Sequence, residues 1–170
     1  MRDDSGKKML LALLVTAFFS ALALGFVHRV TADKIKENNE AMIGEAVYRV
    51  LPGIDSYEEV QRDPLIFRGL TGGRLRGYAV YSDGMGFQGT IGLMAGFSPE
   101  VKITGVSIIE SVETPGLGDR VREDSFLSQF RGASVHSLTD GFSAVTGATV
   151  SSEAVLNILR RALKDAEDIL

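Results

Sequence analysis

The sequence has no cysteine and only two histidines, His28 and His136, in 170 residues. Without a thiol there is no disulfide framework, no thiolate-bound iron–sulfur cluster and no cysteine nucleophile, and two distant histidines form no metal-ligating group. Basic charge is also scarce: 18 Lys and Arg against 22 Asp and Glu leave a net charge of -4. Such a balance offers no basic surface for phosphates, so nucleic acid is not an expected partner. Any redox chemistry would have to come from an organic cofactor. What is present, 45% hydrophobic and 24% charged residues, suffices for one folded domain with a core.

The N-terminus is the place where charge disappears altogether. Met9 to Val27 contains no charged residue, and Thr16 and Ser20 can return their hydroxyls to the helix backbone. At about 1.5 Å per residue this run approaches the roughly 30 Å hydrocarbon thickness of a bilayer. Lys7 and Lys8 precede it and His28 and Arg29 follow, as suits an anchored helix. The rival is a cleaved signal peptide, because Ala21-Leu22-Ala23 resembles a small-residue cleavage site; the apolar run continuing past it favours the anchor. Arg2, Lys7 and Lys8 on one side balance Arg29, Lys34 and Lys36 on the other, so flanking charge leaves the orientation open.

Beyond the anchor, Thr31 to Leu51 carries helix formers with apolar residues at Ile35, Met42, Ile43, Ala46, Val47 and Val50, and Pro52-Gly53 stops it. From Arg76 to Ile109 the pattern turns to β. Gly77–Tyr81, Phe87–Phe97 and Val101–Ile109 are rich in branched and aromatic residues, with short polar connections that imply antiparallel neighbours. A helix around Ser125 to Phe130 and a last helix from about Ser151 to Asp168 follow. In the last helix, Val155, Ile158, Leu159, Ala162, Leu163 and Ala166 form one apolar stripe. The fold class expected is α+β: an N-terminal transmembrane helix (1–30), then one small domain (31–170) with a mainly antiparallel sheet and packed helices.

Two glycine-containing segments hold the candidate chemistry. Glu113-Thr114-Pro115-Gly116-Leu117-Gly118 follows a predicted strand. It reads either as a strand-ending turn, with Pro fixing one φ and Gly permitting another, or as a place where a lone apolar side chain and close backbone meet a flat ring. Thr146-Gly147-Ala148-Thr149 stands immediately before the last helix. A helix N-terminus presents unpaired N–H groups and the positive end of the dipole, which suits a phosphate, and small residues let it approach. The alternative is plain capping, with Thr149, Ser151 or Ser152 accepting a bond from an N–H of the first turn.

Taken in order, five segments resemble a known family. They are Gly77-Tyr78, Gly86-Phe87-Gln88-Gly89-Thr90-Ile91, Ile103-Thr104-Gly105-Val106, Glu113 to Gly118, and Thr146-Gly147-Ala148-Thr149-Val150-Ser151-Ser152. The chain is similar to the FMN-binding subunits of ion-translocating redox complexes: the G subunit of the Rnf electron-transport complex (the RnfG family) and, more distantly, the C subunit of the sodium-pumping NADH:quinone reductase. The resemblance runs from the anchor to the last helix.

The resemblance implies a membrane-bound electron carrier with FMN joined through its phosphate to Thr149. A separate flavin transferase would make this bond, with FAD as donor and a divalent metal. It implies that Thr114 to Gly118 lie near the flavin ring, with Thr114 and Leu117 as the contacting side chains. The expected cofactor-binding set is thus Thr146, Gly147, Ala148, Thr149, Ser151, Ser152, Glu113, Thr114, Gly116, Leu117 and Gly118, with no catalytic residue and no metal. Partners would be the other membrane subunits, which in the Rnf case move electrons between ferredoxin and NAD while transporting Na⁺ or H⁺. The FMN domain is expected on the periplasmic side of the cytoplasmic membrane. Two departures from the family pattern are Ser143, where an acidic residue is common six positions before the modified Thr (Asp140 lies three residues earlier), and Val112, where many relatives have His or Ser. Two other classes share these features: a non-redox interaction module, and a stand-alone extracytoplasmic flavoprotein reductase. The latter lacks a dinucleotide fingerprint, since Gly84 and Gly86 are expected between strands and not before a helix.

Overall fold

A computed structural model describes residues 3–134, 137–139 and 141–168; the expectations placed on His136 and Asp140 lie outside the described residues. The chain divides between Ala41 and Met42 into two units. Helix α1 (Asp3–Val50) runs through the division without a break. The sequence reads as an anchor and, from Thr31 to Leu51, a helix leaving the bilayer. One continuous helix forms because no proline intervenes, and Gly25 and Gly44 each cost only about 1 kcal/mol in a helix interior. Between residues 9 and 27 α1 is apolar on all sides: Leu11, Leu14, Phe18, Phe19, Leu22 and Phe26 are all exposed. Among the described residues this helix is long and apolar enough to cross a membrane. The Thr16 hydroxyl donates to the Ala12 carbonyl at 2.9 Å, as expected of a polar group in an apolar span.

The second unit is built on a five-stranded antiparallel meander in the order β1-β2-β3-β4-β5. The strands are β1 (Ser56–Arg62), β2 (Leu65–Thr71), β3 (Arg74–Met85), β4 (Thr90–Phe97) and β5 (Ile103–Ser111). The first two were not anticipated. In β1 every residue but Tyr57 is exposed, so this edge strand carries no apolar alternation to read. Gly72 and Gly73, both at positive φ, close the β2–β3 hairpin with a two-residue primed turn between the paired Thr71 and Arg74. Gly84 lies inside β3, not between strands, and Phe87 to Gly89 form the β3–β4 turn instead of opening β4. Beyond β5 come α2 (Asp124–Leu127), continued by a 3₁₀ turn to Phe130, and α3 (Thr149–Glu167).

The two faces of the sheet have different covers. Ile91, Leu93, Ala95 and Phe97 of β4 point to the face packed by α3, where Val155, Ile158, Leu159 and Leu163 are buried. Each of these four α3 residues contributes roughly 1.5–3 kcal/mol by leaving water. Met94 points the other way, into a cluster with Ala46, Val47, Val50 and Leu51 from the end of α1. That end can lie flat on the sheet because its neighbours there are Gly96 and Gly105, paired across β4 and β5. A Cβ on Gly96 would collide with the Val50 carbonyl, and one on Gly105 would stand 3.1 Å from the Val50 Cα. The Val50 carbonyl, left without a helical partner, accepts the Thr104 hydroxyl at 2.6 Å. The end of β5, the β3–β4 turn and the start of α3 thereby meet at one end of the sheet.

Candidate functional site

After Ser111 the chain leaves the sheet and turns on Thr114, whose carbonyl accepts the N–H groups of Leu117 (3.1 Å) and Asp119 (3.3 Å). The turn needs Gly116, at φ +77, in a region that side chains disfavour. Its result is to leave Leu117 pointing outward, 55% exposed. The second segment turns in the same manner: the Ala148 N–H donates to the Val145 carbonyl at 2.9 Å, with Gly147 at φ +82 between them.

Helix α3 then begins at Thr149 with no side-chain cap. The N-cap position belongs to Ala148, and the hydroxyls that could have capped are used otherwise or left free. Ser152 donates to the Ala148 carbonyl (2.8 Å) and accepts from the Val145 N–H (3.0 Å), stapling the turn to the helix from beneath. Ser151 donates to Glu113 Oε2 at 2.7 Å. Among the described residues the exposed Thr149 hydroxyl has no hydrogen-bond partner. The capping alternative is thus not what the structure adopts. The first turn keeps its N–H groups free of any side-chain cap.

These two segments and the β3–β4 turn enclose an open cavity of ≈ 670 Å³. Glu113, Thr114, Leu117 and Gly118 line it from one side, Gly147, Ala148, Thr149 and Ser151 from the other. Three of the expected residues stand apart. Gly116 shapes the turn and meets no neighbour, Ser152 is fully buried under the helix start, and Thr146 lines a separate depression with Gln129 and Ser143. Two lining residues were not anticipated, Phe87 and Val150, respectively 74% and 52% exposed. The signal for Phe87 is a lone aromatic between Gly86 and Gly89, whose composition matches the start of a strand. A wider depression of ≈ 1090 Å³, bordered by Arg49, Asp124 and Arg131, brings together none of the expected residues.

Ser143, at the position of the family's acid, has its backbone gripped by Gln129: its N–H donates to Oε1 at 2.8 Å and its carbonyl accepts from Nε2 at 3.2 Å. Val112 is exposed and packs beside Gly89.

The cavity has the chemistry of a site for a flat, phosphorylated ligand. At one end an uncapped helix start offers backbone donors and a free hydroxyl to an anion. At the other, Phe87, Leu117 and Val150 offer exposed apolar surface to a ring system. Glycine at 118 keeps the floor low, since a Cβ there would collide with the Glu113 carboxylate.

Known proteins resemble the chain in sequence and in fold. The FMN-binding domain family matches residues 86–164, from the β3–β4 turn into α3. The chain is 31% identical over 172 residues to the G subunit of the ion-translocating oxidoreductase complex of Methanosarcina acetivorans, covering 92% of each chain. It is 26% identical to the G subunit of the proton-translocating ferredoxin:NAD(+) oxidoreductase complex of Clostridium ljungdahlii, covering 89% of this chain and 86% of that one. In fold it is similar to the crystal structure of the C subunit of the Na(+)-translocating NADH-quinone reductase from Parabacteroides distasonis, with a TM-score of 0.59 and 16% identity over 78% of this chain and 92% of that chain. With an apolar N-terminal helix, a five-stranded sheet and this cavity at the start of its last helix, the chain belongs to the G-subunit family of Rnf-type ion-translocating oxidoreductase complexes.

Proposed function

We propose that this protein is a membrane-anchored electron carrier that holds FMN in the cavity at the start of α3, joined through its phosphate to Thr149. The observation that carries the reading is the Thr149 hydroxyl: exposed, without a partner among the described residues, and placed on an uncapped helix start that faces the cavity. Bound there, FMN would supply electron transfer singly or in pairs, chemistry for which the chain has no group of its own.

The residues have separable tasks. Thr149 Oγ forms the ester, with FAD as donor, AMP as leaving group and a flavin transferase supplying the base and the metal. The N–H groups of the first turn of α3 stabilise the remaining phosphate charge. Gly147 brings the backbone close, while Leu117, Thr114 and Phe87 hold the ring end and exclude water from one side. A covalent tether keeps the cofactor at high effective concentration on the extracytoplasmic side, where a dissociated flavin would be lost by diffusion. In the assembled complex the domain relays electrons among the other membrane subunits, between ferredoxin and NAD in overall effect, while Na⁺ or H⁺ is translocated.

The test is direct. Full-length chain co-expressed with a flavin transferase and denatured in detergent should keep yellow fluorescence on a gel and the added mass of an FMN residue. Thr149→Ala should lose both and Thr149→Ser should keep both, while Thr146→Ala should label at least in part because Thr146 lies outside the cavity. Peptide mapping of the flavin to Ser151 or Ser152 would overturn the assignment.

A further inference from the structure

The most enclosed charged group of the site is Glu113, 7% exposed, and nothing in the proposed chemistry uses it. Its two oxygens have different partners from different elements. Oε2 accepts the Ser151 hydroxyl of α3 at 2.7 Å, and Oε1 accepts the Gln88 N–H of the β3–β4 turn at 3.2 Å. Gln88 then returns its own side chain to the loop of Glu113, accepting the Thr114 hydroxyl on Oε1 at 2.6 Å. Both oxygens of the carboxyl are thus engaged, each by a different element.

The slot is built for this group. A Cβ on Gly86 would collide with Oε1, and a Cβ on Gly118 would collide with Oε2. Among the described residues no Lys or Arg pairs with Glu113, so its compensation is hydrogen bonding together with the positive end of α3.

We infer that Glu113 is the positioning residue of the site: its carboxylate locks the β3–β4 turn and the loop after β5 to the first turn of α3, and sets a fixed negative charge under the cavity. The three segments it joins are those that carry Phe87, Leu117 and Thr149, so the ring end and the phosphate end of the cavity are held in register by one side chain. The charge has a direction of effect. A fixed anion beside a redox group opposes the addition of electrons, so Glu113 favours the oxidised form of whatever the cavity holds. This inference rests on the flavin reading for its charge half, and on geometry alone for its locking half.

The experiment uses the full-length, detergent-solubilised chain after co-expression with a flavin transferase. Glu113→Gln keeps the shape and can still bond Ser151 and Gln88 while removing the charge. Read on the flavin that is bound, its oxidised-to-reduced ratio at a given potential should fall about tenfold, an upward shift of about 30 mV for a two-electron couple. A potential unchanged within twofold of that ratio would overturn the charge role. Locking is read without the flavin, from thermal melts of Glu113→Ala, Ser151→Ala and the double variant. The double variant should melt no lower than Glu113→Ala, because the two residues share one bond, and additive losses would overturn the lock. A wild-type chain that takes up no flavin would sink the flavin reading and the charge role together, while the melts would still decide the lock.

Discussion

Ser152→Ala separates the residue that supports the loop from the residue proposed to carry the ester. The hydroxyl of Ser152 is fully buried and makes two bonds, to the Ala148 carbonyl at 2.8 Å and from the Val145 N–H at 3.0 Å. The Ala148 carbonyl keeps the Ser152 N–H at 2.9 Å, so that loss is slight. The Val145 N–H, half-buried, loses its acceptor, which costs about 1–2 kcal/mol. Alanine returns roughly 0.5 kcal/mol through its higher helix propensity. A net loss of about 1 kcal/mol lowers the melting temperature by about 4 °C for a domain of this size. Because the staple holds the turn that presents Thr149, flavin labelling should become slower without disappearing. Thr149→Ala should do the reverse, abolishing the label with an unchanged melt, since Thr149 caps nothing. Thermal melts in detergent and a time course of in-gel flavin fluorescence read both quantities. A Ser152→Ala chain with a wild-type melt and no label would refute the reasoning and make Ser152 the acceptor.

Three further outcomes are expected. Leu117→Ala should leave attachment intact and shift the flavin's visible spectrum, because the side chain is exposed at the ring end of the cavity; an unchanged spectrum would reduce Glu113 to Gly118 to a turn. Gly96→Ala should destabilise the domain by about 1–3 kcal/mol through overpacking against the end of α1, whereas a wild-type melt would show that α1 does not lie on β4. Burial and the neighbouring Glu110 carboxylate push the Tyr81 phenol up to about 12, and its hydroxyl lies 3.2 Å from Glu110 Oε1. Its folded value is raised, so the stability it brings is full below the unfolded value near 10 and falls as pH climbs toward 12. Tyr81→Phe should flatten that alkaline loss, and an identical pH profile would refute the pairing.

The sheet was legible only where burial wrote a pattern. β3, β4 and β5 could be anticipated because their residues are packed between two covers, and α3 because its stripe faces one of them. β1 was illegible because only Tyr57 is packed and its other side chains are open to solvent, so the strand carries no apolar alternation. The same reasoning explains Phe87: an exposed aromatic in a turn has the composition of a strand, and only the position of the Gly86–Gly89 hydrogen bond, 2.8 Å long, shows that the ladder has not yet begun.

By itself the sequence determined the kind of molecule. An uncharged run from Met9 to Val27 fixes a membrane-length helix, because no aqueous fold has to be known to see that its surface has no polar side. The ordered glycine and hydroxyl segments fixed the family. What the residues by themselves left open was the surroundings of three neighbouring hydroxyls, since Thr149, Ser151 and Ser152 are chemically alike and lie within one helical turn. Tertiary structure separates them by direction. One hydroxyl points into the interior and staples the preceding turn, one meets a carboxylate brought from 38 residues away, and one faces the cavity with no partner among the described residues. The 100° step of the helix sends consecutive side chains to different surroundings, and those surroundings exist only once β5 and the β3–β4 turn have folded beside them.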